Sequence, residues 1–190
     1  MDKPILLDFP ESFETQRLFL RAPRFGDGKA LNEAIAESID ELRPWMPWAK
    51  EVPTLDESEE NVRVARLKFL ERADLRLHLW DKKTGQLIGC SGLHRIDWMA
   101  KKFEIGYWLR TSAWGKGLMT EAVEGITTFA METLEANRLE IRCDANNLRS
   151  AAVAKRLGYP LEALLRHERL NTAGELSDSM VFTKVRGYDF

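Results

Sequence analysis

The segment whose residue types and spacing best suit a functional site is residues 114 to 120. It reads Trp-Gly-Lys-Gly-Leu-Met-Thr and begins a long amphipathic segment. Gly115 and Gly117 permit backbone conformations that other residues avoid, so successive amide hydrogens can point to one side of a tight turn. The start of a helix adds a partial positive charge at the same place. This combination predicts an anion site of the kind that holds a phosphate, although two glycines before a helix also suit a plain connecting turn.

Spacing excludes several other kinds of site. The chain lacks both the G-x-x-x-x-G-K-[S/T] loop of NTPases and a G-x-G-x-x-G after a strand, so we expect neither an NTPase nor a dinucleotide-binding enzyme. Cys90 and Cys143 are too far apart for a CxxC metal or redox site, and we interpret them as buried, reduced thiols. No His, Cys and Asp residues share a ligand spacing, so no metal is predicted.

The elements that position this loop follow from the spacing of apolar residues. Alternation predicts strands at residues 15 to 22, 75 to 80, 87 to 96, 103 to 109 and 139 to 143, and a last hairpin that turns at 171 to 174. Helical spacing predicts helices at residues 27 to 38, 56 or 58 to 73, 118 to 134 and 147 to 157, with Asp27 capping the first and Asp56 or Ser58 capping the second. The predicted apolar side of the second helix consists of Val62, Leu67, Phe69 and Leu70. Residues 42 to 48 form a proline-tryptophan loop between these helices.

Together these elements predict one α/β (α+β) domain over residues 1 to 190, with a mixed sheet covered by helices on both faces. The 28 Lys and Arg and the 30 Asp and Glu leave a net charge of -2, so composition gives no reason to expect binding to nucleic acid or to an anionic membrane. No apolar run of about 18 residues is present, and the first residues lack the shape of a secretory signal. We therefore expect a cytoplasmic protein.

A series of short motifs then follows the order found in one known family. The motifs are the strand at 15 to 21, the loop at 42 to 48, Ile-Gly-Cys-Ser-Gly-Leu-His at 88 to 94, Ile-Gly-Tyr-Trp-Leu at 105 to 109, the glycine loop, Asn-Leu-Arg-Ser at 147 to 150 and Lys-Arg-Leu-Gly-Tyr at 155 to 159. Across nearly the whole chain they resemble the GNAT superfamily of acyl-CoA-dependent N-acyltransferases. Within it they are similar to the RimJ/RimL branch, which includes ribosomal-protein N-terminal acetyltransferases.

The resemblance implies acetyl-CoA as a consumed cosubstrate and a mostly antiparallel sheet whose fourth and fifth strands, residues 103 to 110 and 138 to 144, splay apart. The pantetheine arm would lie in that slot. By the same resemblance, the main chain of Tyr107, Trp108 and Leu109 contacts pantetheine and thioester, Asn147 touches the arm, Ser150 lies near the sulfur, and Arg156 stands at an often basic position. The pyrophosphate would be cradled by Gly115, Lys116, Gly117, Leu118, Met119 and Thr120.

The chain also departs from the family pattern at several positions. The phosphate loop usually reads Q/R-x-x-G-x-G/A, whereas Trp114 and Met119 stand at its first and last positions here. Many members carry a tyrosine four residues after the position of Ser150 to protonate the departing thiolate, and this chain has Ala154 there. We expect Ser150 to take over that role, by a hydrogen bond or through a water. Its alternative role is to cap the short helix.

Catalysis would proceed by direct attack of a neutral amine on the acetyl carbonyl, with no cysteine nucleophile. The oxyanion would be stabilised by the backbone amide of Trp108 or Leu109. We predict Glu104 as the general base, with Asp144 and His94 as alternatives. Each has a structural alternative, namely a solvent-facing position for Glu104, a turn cap for Asp144 and a hydrogen-bonded sheet position for His94.

The acceptor is predicted to be a protein N-terminal α-amine, as in the ribosomal-protein branch. Trp45 and Trp48 either wall its pocket or anchor the loop by packing. A pocket narrowed by these rings would instead favour a small amine such as an amino acid, polyamine or aminoglycoside. A coenzyme-A-binding module without catalysis is the third hypothesis, and a homodimer is plausible from the branch.

Overall fold

An eight-stranded mixed sheet forms the centre of the molecule, in a computed structural model that describes residues 3 to 190. The strand order is β1-β2-β3-β4-β5-β6-β8-β7. The strands are β1 (Ser12–Glu14), β2 (Leu18–Arg21), β3 (Leu75–Asp81), β4 (Leu87–Asp97), β5 (Lys102–Leu109), β6 (Arg138–Asp144), β7 (Leu161–Leu170) and β8 (Leu176–Val185). All neighbouring strands pair antiparallel except β5 and β6, which are parallel.

Four α-helices connect and cover these strands. They are α1 (Gly28–Leu42), α2 (Leu55–Leu70), α3 (Leu118–Glu132) and α4 (Leu148–Arg156), with short 3-10 helices at Pro4–Leu6 and Thr111–Ala113. On one sheet face α3 packs its Ile126 against the larger core cluster, which includes Leu20, Leu79 and Ile105. On the other face α1 and α2 enclose a smaller cluster, which consists of Leu31, Ile35, Val62 and Cys90. The predicted mixed sheet with helices on both faces is therefore confirmed.

The N-terminal part of the sheet differs from the prediction in one respect. A short strand, β1, precedes the predicted opening strand and pairs with it, with Phe13 opposite Leu20. Its three residues are too few to show a period-two pattern, so the alternation of apolar residues did not predict this strand. The two strands expected to splay are consequently the fifth and sixth in the chain.

The helix caps also differ from the prediction. Asp27 precedes α1, but its carboxylate accepts from Arg21 and from the Arg24 amide instead of capping the helix. Helix α2 begins earlier than predicted, because Thr54 caps it and forms a reciprocal pair with Glu57. The same helix ends at Leu70.

The predicted apolar side of α2 is only half right. Val62 and Phe69 are buried, whereas Leu67 and Leu70 are 54% and 42% exposed. The latter two therefore lie on the solvent side of the helix and take no part in the core.

The parallel pair β5 and β6 separates soon after it begins. Its register extends only from Lys102 opposite Arg138 to Glu104 opposite Glu140. Beyond that point β5 continues beside β4 as far as Leu109, and β6 continues beside β8 as far as Asp144. Each strand stays attached to its outer neighbour, so a wedge-shaped slot opens between the two, as predicted for the strands at 103 to 110 and 138 to 144. Among residues 3 to 190, no helix has the length and apolar character needed to cross a membrane.

Candidate functional site

Beyond Glu104, the edge of β5 that faces the slot presents backbone groups with no strand partner among residues 3 to 190. The Arg110 amide donates to the Ile88 carbonyl across β4, at 2.8 Å. Because amide direction alternates along a strand, the amide of Trp108, paired with Cys90, also points to β4. The amides of Tyr107 and Leu109 point the opposite way, into the slot. The Trp108 amide is therefore used within the sheet, and of the two amides predicted for the oxyanion the Leu109 amide is the one that faces the slot.

The glycine loop meets the slot at the N-terminus of α3. Gly115 and Gly117 have φ values of 71° and 73°, in the left-handed region that favours glycine. Within the described chain, none of the amide hydrogens of residues 115 to 120 has an acceptor, and the first one used belongs to Glu121, which donates to the Gly117 carbonyl. Leu118 and Met119 are buried beneath the loop. Six unpartnered donors at a helix start suit a diphosphate by charge and by hydrogen bonding.

Arg17 fixes the glycine loop through hydrogen bonds, a role that was not predicted from the sequence. Its guanidinium donates to the Lys116 carbonyl at 2.8 Å and to the Glu121 carboxylate at 2.6 Å. Burial alone would raise the pKa of Glu121, but bonds from Thr15 and Arg17 lower it overall. Lys116 itself turns its ammonium to the Ser112 carbonyl, at 2.7 Å. Spacing offered no signal for a contact between residues so far apart in the chain.

Two further side chains join the loop to the slot. The indole of Trp114 donates to the Leu109 carbonyl at 2.9 Å, which ties the loop to the end of β5. The guanidinium of Arg149, which the sequence reasoning did not select, lies 4.4 Å above the same ring. Arg156 is exposed at the last turn of α4 and lines the same cleft. Trp114, which stands where the family usually has Gln or Arg, therefore has a structural role in joining the loop to β5.

The start of α4 brings Ser150 onto the slot opposite β5. Asn147 caps this helix by accepting from the Ser150 amide at 3.1 Å, so Ser150 does not serve as the cap. The hydroxyl of Tyr107 donates to the Ser150 carbonyl at 2.9 Å and accepts from Ser150 Oγ at 3.2 Å. Burial raises the pKa of Tyr107 far above its usual range. The phenol is therefore neutral, and Ala154 one turn further on is fully buried.

The opposite face of the sheet carries the predicted acceptor side. Trp48 is 49% exposed and meets Trp108 edge to face, with ring centroids 5.9 Å apart. Trp45 is half-buried on the same loop, and both tryptophans of the loop line the cleft. Glu104 forms an ion pair with Arg95, with 3.1 Å between Oε2 and the guanidinium nitrogen.

Asp144 and His94, the two alternative bases, lie in different environments. Asp144 accepts from Ser177 at 2.5 Å and from Arg169 at 3.3 Å, and is buried. Burial alone would raise the pKa of Asp144, but these bonds lower it overall, so the group is a poor proton acceptor. The Asn146 amide also donates to Asp144 Oδ1 at 2.8 Å, which is the turn-cap role given as its structural alternative. His94 Nδ1 lies 2.7 Å from Asp74 Oδ2, and its ring stays partly exposed.

One cleft of about 2410 Å³ connects these groups. Its walls include the glycine loop, the slot-facing edge of β5, the start of α4 and the tryptophan loop. An arrangement of phosphate donors, an unpaired strand edge and an open groove on the other face can hold an extended thioester beside a second substrate. Within residues 3 to 190, no group of three His, Cys, Asp or Glu is placed to hold a metal ion.

Comparison with known proteins gives a consistent result. A family profile described as "Acetyltransferase (GNAT) domain" matches residues 17 to 160. YdaF of Bacillus subtilis is 34% identical over 146 residues, which cover 74% of this chain and 76% of that protein. The ribosomal-protein-serine acetyltransferase of Escherichia coli K12 is 30% identical over 160 residues, which cover 84% of this chain and 88% of that protein.

Solved structures share the fold. The ribosomal L7/L12 alpha-N-protein acetyltransferase RimL, in complex with coenzyme A as a disulfide with a cysteine, superposes with a TM-score of 0.85 at 22% identity, covering 92% of this chain and 98% of that one. The microcin C7 self-immunity acetyltransferase MccE, in complex with acetyl-CoA and AMP, has a TM-score of 0.85 at 23% identity, covering 93% and 97%.

Proposed function

The chain belongs to the acetyltransferase (GNAT) family, as an acetyl-CoA-dependent enzyme similar to the RimJ/RimL branch, and we propose that its acceptor is the α-amine at the N-terminus of a protein. Acetyl-CoA supplies an activated acetyl group as a thioester. The observation that carries the proposal is the open groove beside the unpaired edge of β5, which continues past Trp48 to the surface. A groove of that kind admits an extended chain.

Backbone donors do most of the binding in this proposal. The amides of residues 115 to 120 hold the diphosphate, and the slot-facing edge of β5 pairs with the amide groups of the pantetheine arm. The Leu109 amide stabilises the oxyanion that forms when the amine attacks. Removal of such a donor typically costs about 3 to 4 kcal/mol in the barrier. Asn147 holds the start of α4 in place by capping it. In this proposal, the Ser150 hydroxyl lies near the sulfur.

Ser150 stabilises the departing thiolate. A hydroxyl that donates to a neutral phenol can turn its hydrogen towards a newly formed anion, because a charge-assisted hydrogen bond is roughly twice as strong as a neutral one. Tyr107 accepts that hydrogen before the reaction and holds the Ser150 carbonyl throughout. The hydroxyl groups of Ser150 and Tyr107 together therefore provide the hydrogen bond to the thiolate that a tyrosine at position 154 would provide and Ala154 cannot.

The choice of an α-amine agrees with the energy of deprotonation. An α-amine with a pKa of about 7.8 loses its proton at pH 7 for about 1 kcal/mol, whereas a lysine at about 10.4 needs roughly 5 kcal/mol. The carboxylate predicted as base, Glu104, is already bound by Arg95. A site with this modest basic capacity suits an α-amine better than a lysine or a polyamine.

The test is mass spectrometry of peptides incubated with acetyl-CoA, with thiol release measured in parallel. We expect acetylation at the N-terminus of a peptide with a free α-amine, and none on the same peptide with a blocked N-terminus and a free lysine. Preferential acetylation of amino acids, polyamines or aminoglycosides would favour the alternative acceptor class instead. Thermal protection by coenzyme A without thiol release on any amine would identify a binding module.

Two further features complete the proposal. Action on ribosomal proteins would place the enzyme in the cytoplasm, where those proteins are synthesised. A homodimer stays a prediction, which sedimentation of the purified protein would test.

A further inference from the structure

His94 is held in one orientation by a neighbouring carboxylate. Its Nδ1 lies 2.7 Å from Asp74 Oδ2, just before β3, and the two side chains are 27% and 28% exposed. A carboxylate only accepts hydrogen bonds, so Nδ1 carries the hydrogen and the lone pair of the neutral ring stays on Nε2. That nitrogen has no hydrogen-bond partner in the described part of the chain. An oriented imidazole with a free lone pair is the arrangement of a general base.

The ring of His94 packs against β5 at Gly106. A Cβ built on Gly106 would stand 3.0 Å from Cδ2 and 3.4 Å from Nε2 of the ring, so glycine provides the space that the imidazole occupies. Gly106 is flanked on β5 by Tyr107, whose backbone faces the slot. His94 is paired with Glu104 and shares the face of Trp108. Nε2 therefore lies on the acceptor side, one strand from the predicted thioester.

A kink in the backbone directly after His94 brings Arg95 beside Glu104. The β4 to β5 register shifts between His94 and Asp97, and Arg95 has a φ of 46°, an unfavourable value for a residue other than glycine. This kink directs Arg95 onto the Glu104 carboxylate at 3.1 Å. Within this cross-strand pair, the Glu104 carboxylate is therefore bound by Arg95, whereas Nε2 of His94 has no partner in the described residues.

We propose that His94, oriented by Asp74, is the general base that takes the proton from the acceptor amine. The inference rests on the proposed function. Nε2 of His94 accepts one proton from the ammonium group of the acceptor. The amine nitrogen, now neutral, then forms a bond to the acetyl carbon. The C–S bond breaks, the second proton released by the nitrogen ends on the thiolate, and the imidazolium returns its proton to water. Asp74 is a positioning residue, since it acts only through His94.

Other charged groups also shape the pH response of this part of the cleft. Asp74 contacts His94 directly. The charged side chains that line the cleft are Arg76 on β3, Arg95 on β4, Glu104 on β5 and Glu57 on α2. Arg95 pairs with Glu104, and Arg76 donates to Asn61 at 2.6 Å. These partnerships leave His94 as the group whose lone pair is directed at the acceptor side.

The experiment compares His94→Gln, Asp74→Asn and Glu104→Gln, with His167→Gln on the exposed strand β7 as the matched control. Rates on an α-amine peptide are measured from pH 6.5 to 9.5. We expect kcat/KM of His94→Gln to fall about 100-fold at pH 7, within the usual range for a general base, and less than about tenfold at pH 9.5, where an amine of pKa about 7.8 is already neutral. Asp74→Asn shows a smaller loss with the same pH dependence, and Glu104→Gln loses less than His94→Gln at each pH.

Two readouts separate a base from a structural residue. The affinity for coenzyme A, measured by calorimetry, should be the same in His94→Gln and wild type. Added imidazole should accelerate His94→Ala several-fold and leave wild type unaffected. If wild type acetylates the peptide but His94→Gln keeps its rate within threefold at pH 7, or imidazole rescues nothing, the inference is overturned alone. If wild type acetylates no amine, the proposed function falls and the inference with it.

Discussion

The hydroxyl of Tyr107 and the Oγ of Ser150 lie 3.2 Å apart, on opposite sides of the slot between β5 and β6. Tyr107 comes from the strand whose edge faces the slot, and Ser150 comes from the first turn of α4. A second bond, from the phenol to the Ser150 carbonyl, fixes the same pair at 2.9 Å. The contact therefore couples the position of a strand to the position of a helix at the point predicted for the sulfur.

The first prediction concerns this pair as a unit. Ser150→Ala should lower kcat by roughly 10- to 100-fold, because a hydroxyl to the thiolate is lost, with little change in the affinity for coenzyme A. Tyr107→Phe should lower kcat by a smaller factor. The double variant should lose less than the product of the two factors, since residues in one network are not additive. Strictly multiplicative losses in kcat would mean that the two hydroxyl groups act independently, and Ser150→Thr serves as the control that keeps the hydroxyl.

The second prediction concerns Arg17, which joins the Lys116 carbonyl to Glu121. Arg17→Gln should weaken the affinity for coenzyme A by about 3- to 10-fold and leave kcat nearly unchanged. The loss is modest because the Arg17 side chain is 45% exposed and its charge is screened by solvent. Calorimetry with coenzyme A measures the effect. Arg63→Gln, which removes a surface ion pair with Glu59, is the matched control, and equal losses in both variants would contradict a specific role for Arg17.

The third prediction follows from a buried cluster beneath α1. His78 is fully buried, and its Nδ1 lies 2.9 Å from Asp27, which also binds Arg21 at 2.7 Å. Burial alone would lower the pKa of His78, but Cys90 and Asp27 raise it to about 9. Burial likewise opposes the ionised form of Asp27, yet the bonds from His78 and Arg21 hold its pKa far below its usual range.

The sign for stability follows from these two shifts. A raised histidine pKa contributes stability that is complete below about pH 6.5 and disappears as the pH rises through about 9. We therefore expect the free energy of unfolding of wild type to fall by about 3 kcal/mol between pH 6 and pH 9.5. Urea unfolding at the two pH values measures it, and NMR of the imidazole reports the titration directly. A constant or rising stability over that interval would show that His78 is neutral in the fold.

The sequence predicted those parts of the site that lie within one continuous segment. The glycine loop, the strand at 103 to 109 and the Asn147 to Ser150 turn are each set by local spacing, and each was located within one or two residues. The contacts that tie segments together were not visible. Asp74 meets His94 because of the β3 to β4 register, which no local pattern encodes.

Side-chain direction was the second limit of prediction. The amide of Trp108 was an equal candidate to that of Leu109 until the bond from Arg110 to Ile88 fixed which of them faces the slot. Asp27 is a residue type that often caps helices, but its carboxylate pairs with Arg21 instead. Leaving the buried charge of Arg21 unpaired would cost more free energy than the loss of a cap, which is worth about 1 kcal/mol. Both outcomes depend on neighbours that come from other strands.

The last prediction concerns the glycine beneath the His94 ring. Gly106→Ala places a methyl group 3.0 Å from Cδ2, so the imidazole must move by a few tenths of an ångström or rotate away from β5. We expect kcat/KM on an α-amine peptide to fall about tenfold at pH 7, by less at pH 9.5, and coenzyme A affinity to stay at the wild-type value. Gly187→Ala, near the C-terminus and outside the residues that line the cleft, is the control for a general loss of stability, because the φ of 81° at Gly187 makes that change strained. If Gly106→Ala weakens coenzyme A binding and lowers the rate equally at both pH values, the glycine serves the strand edge and not the position of His94.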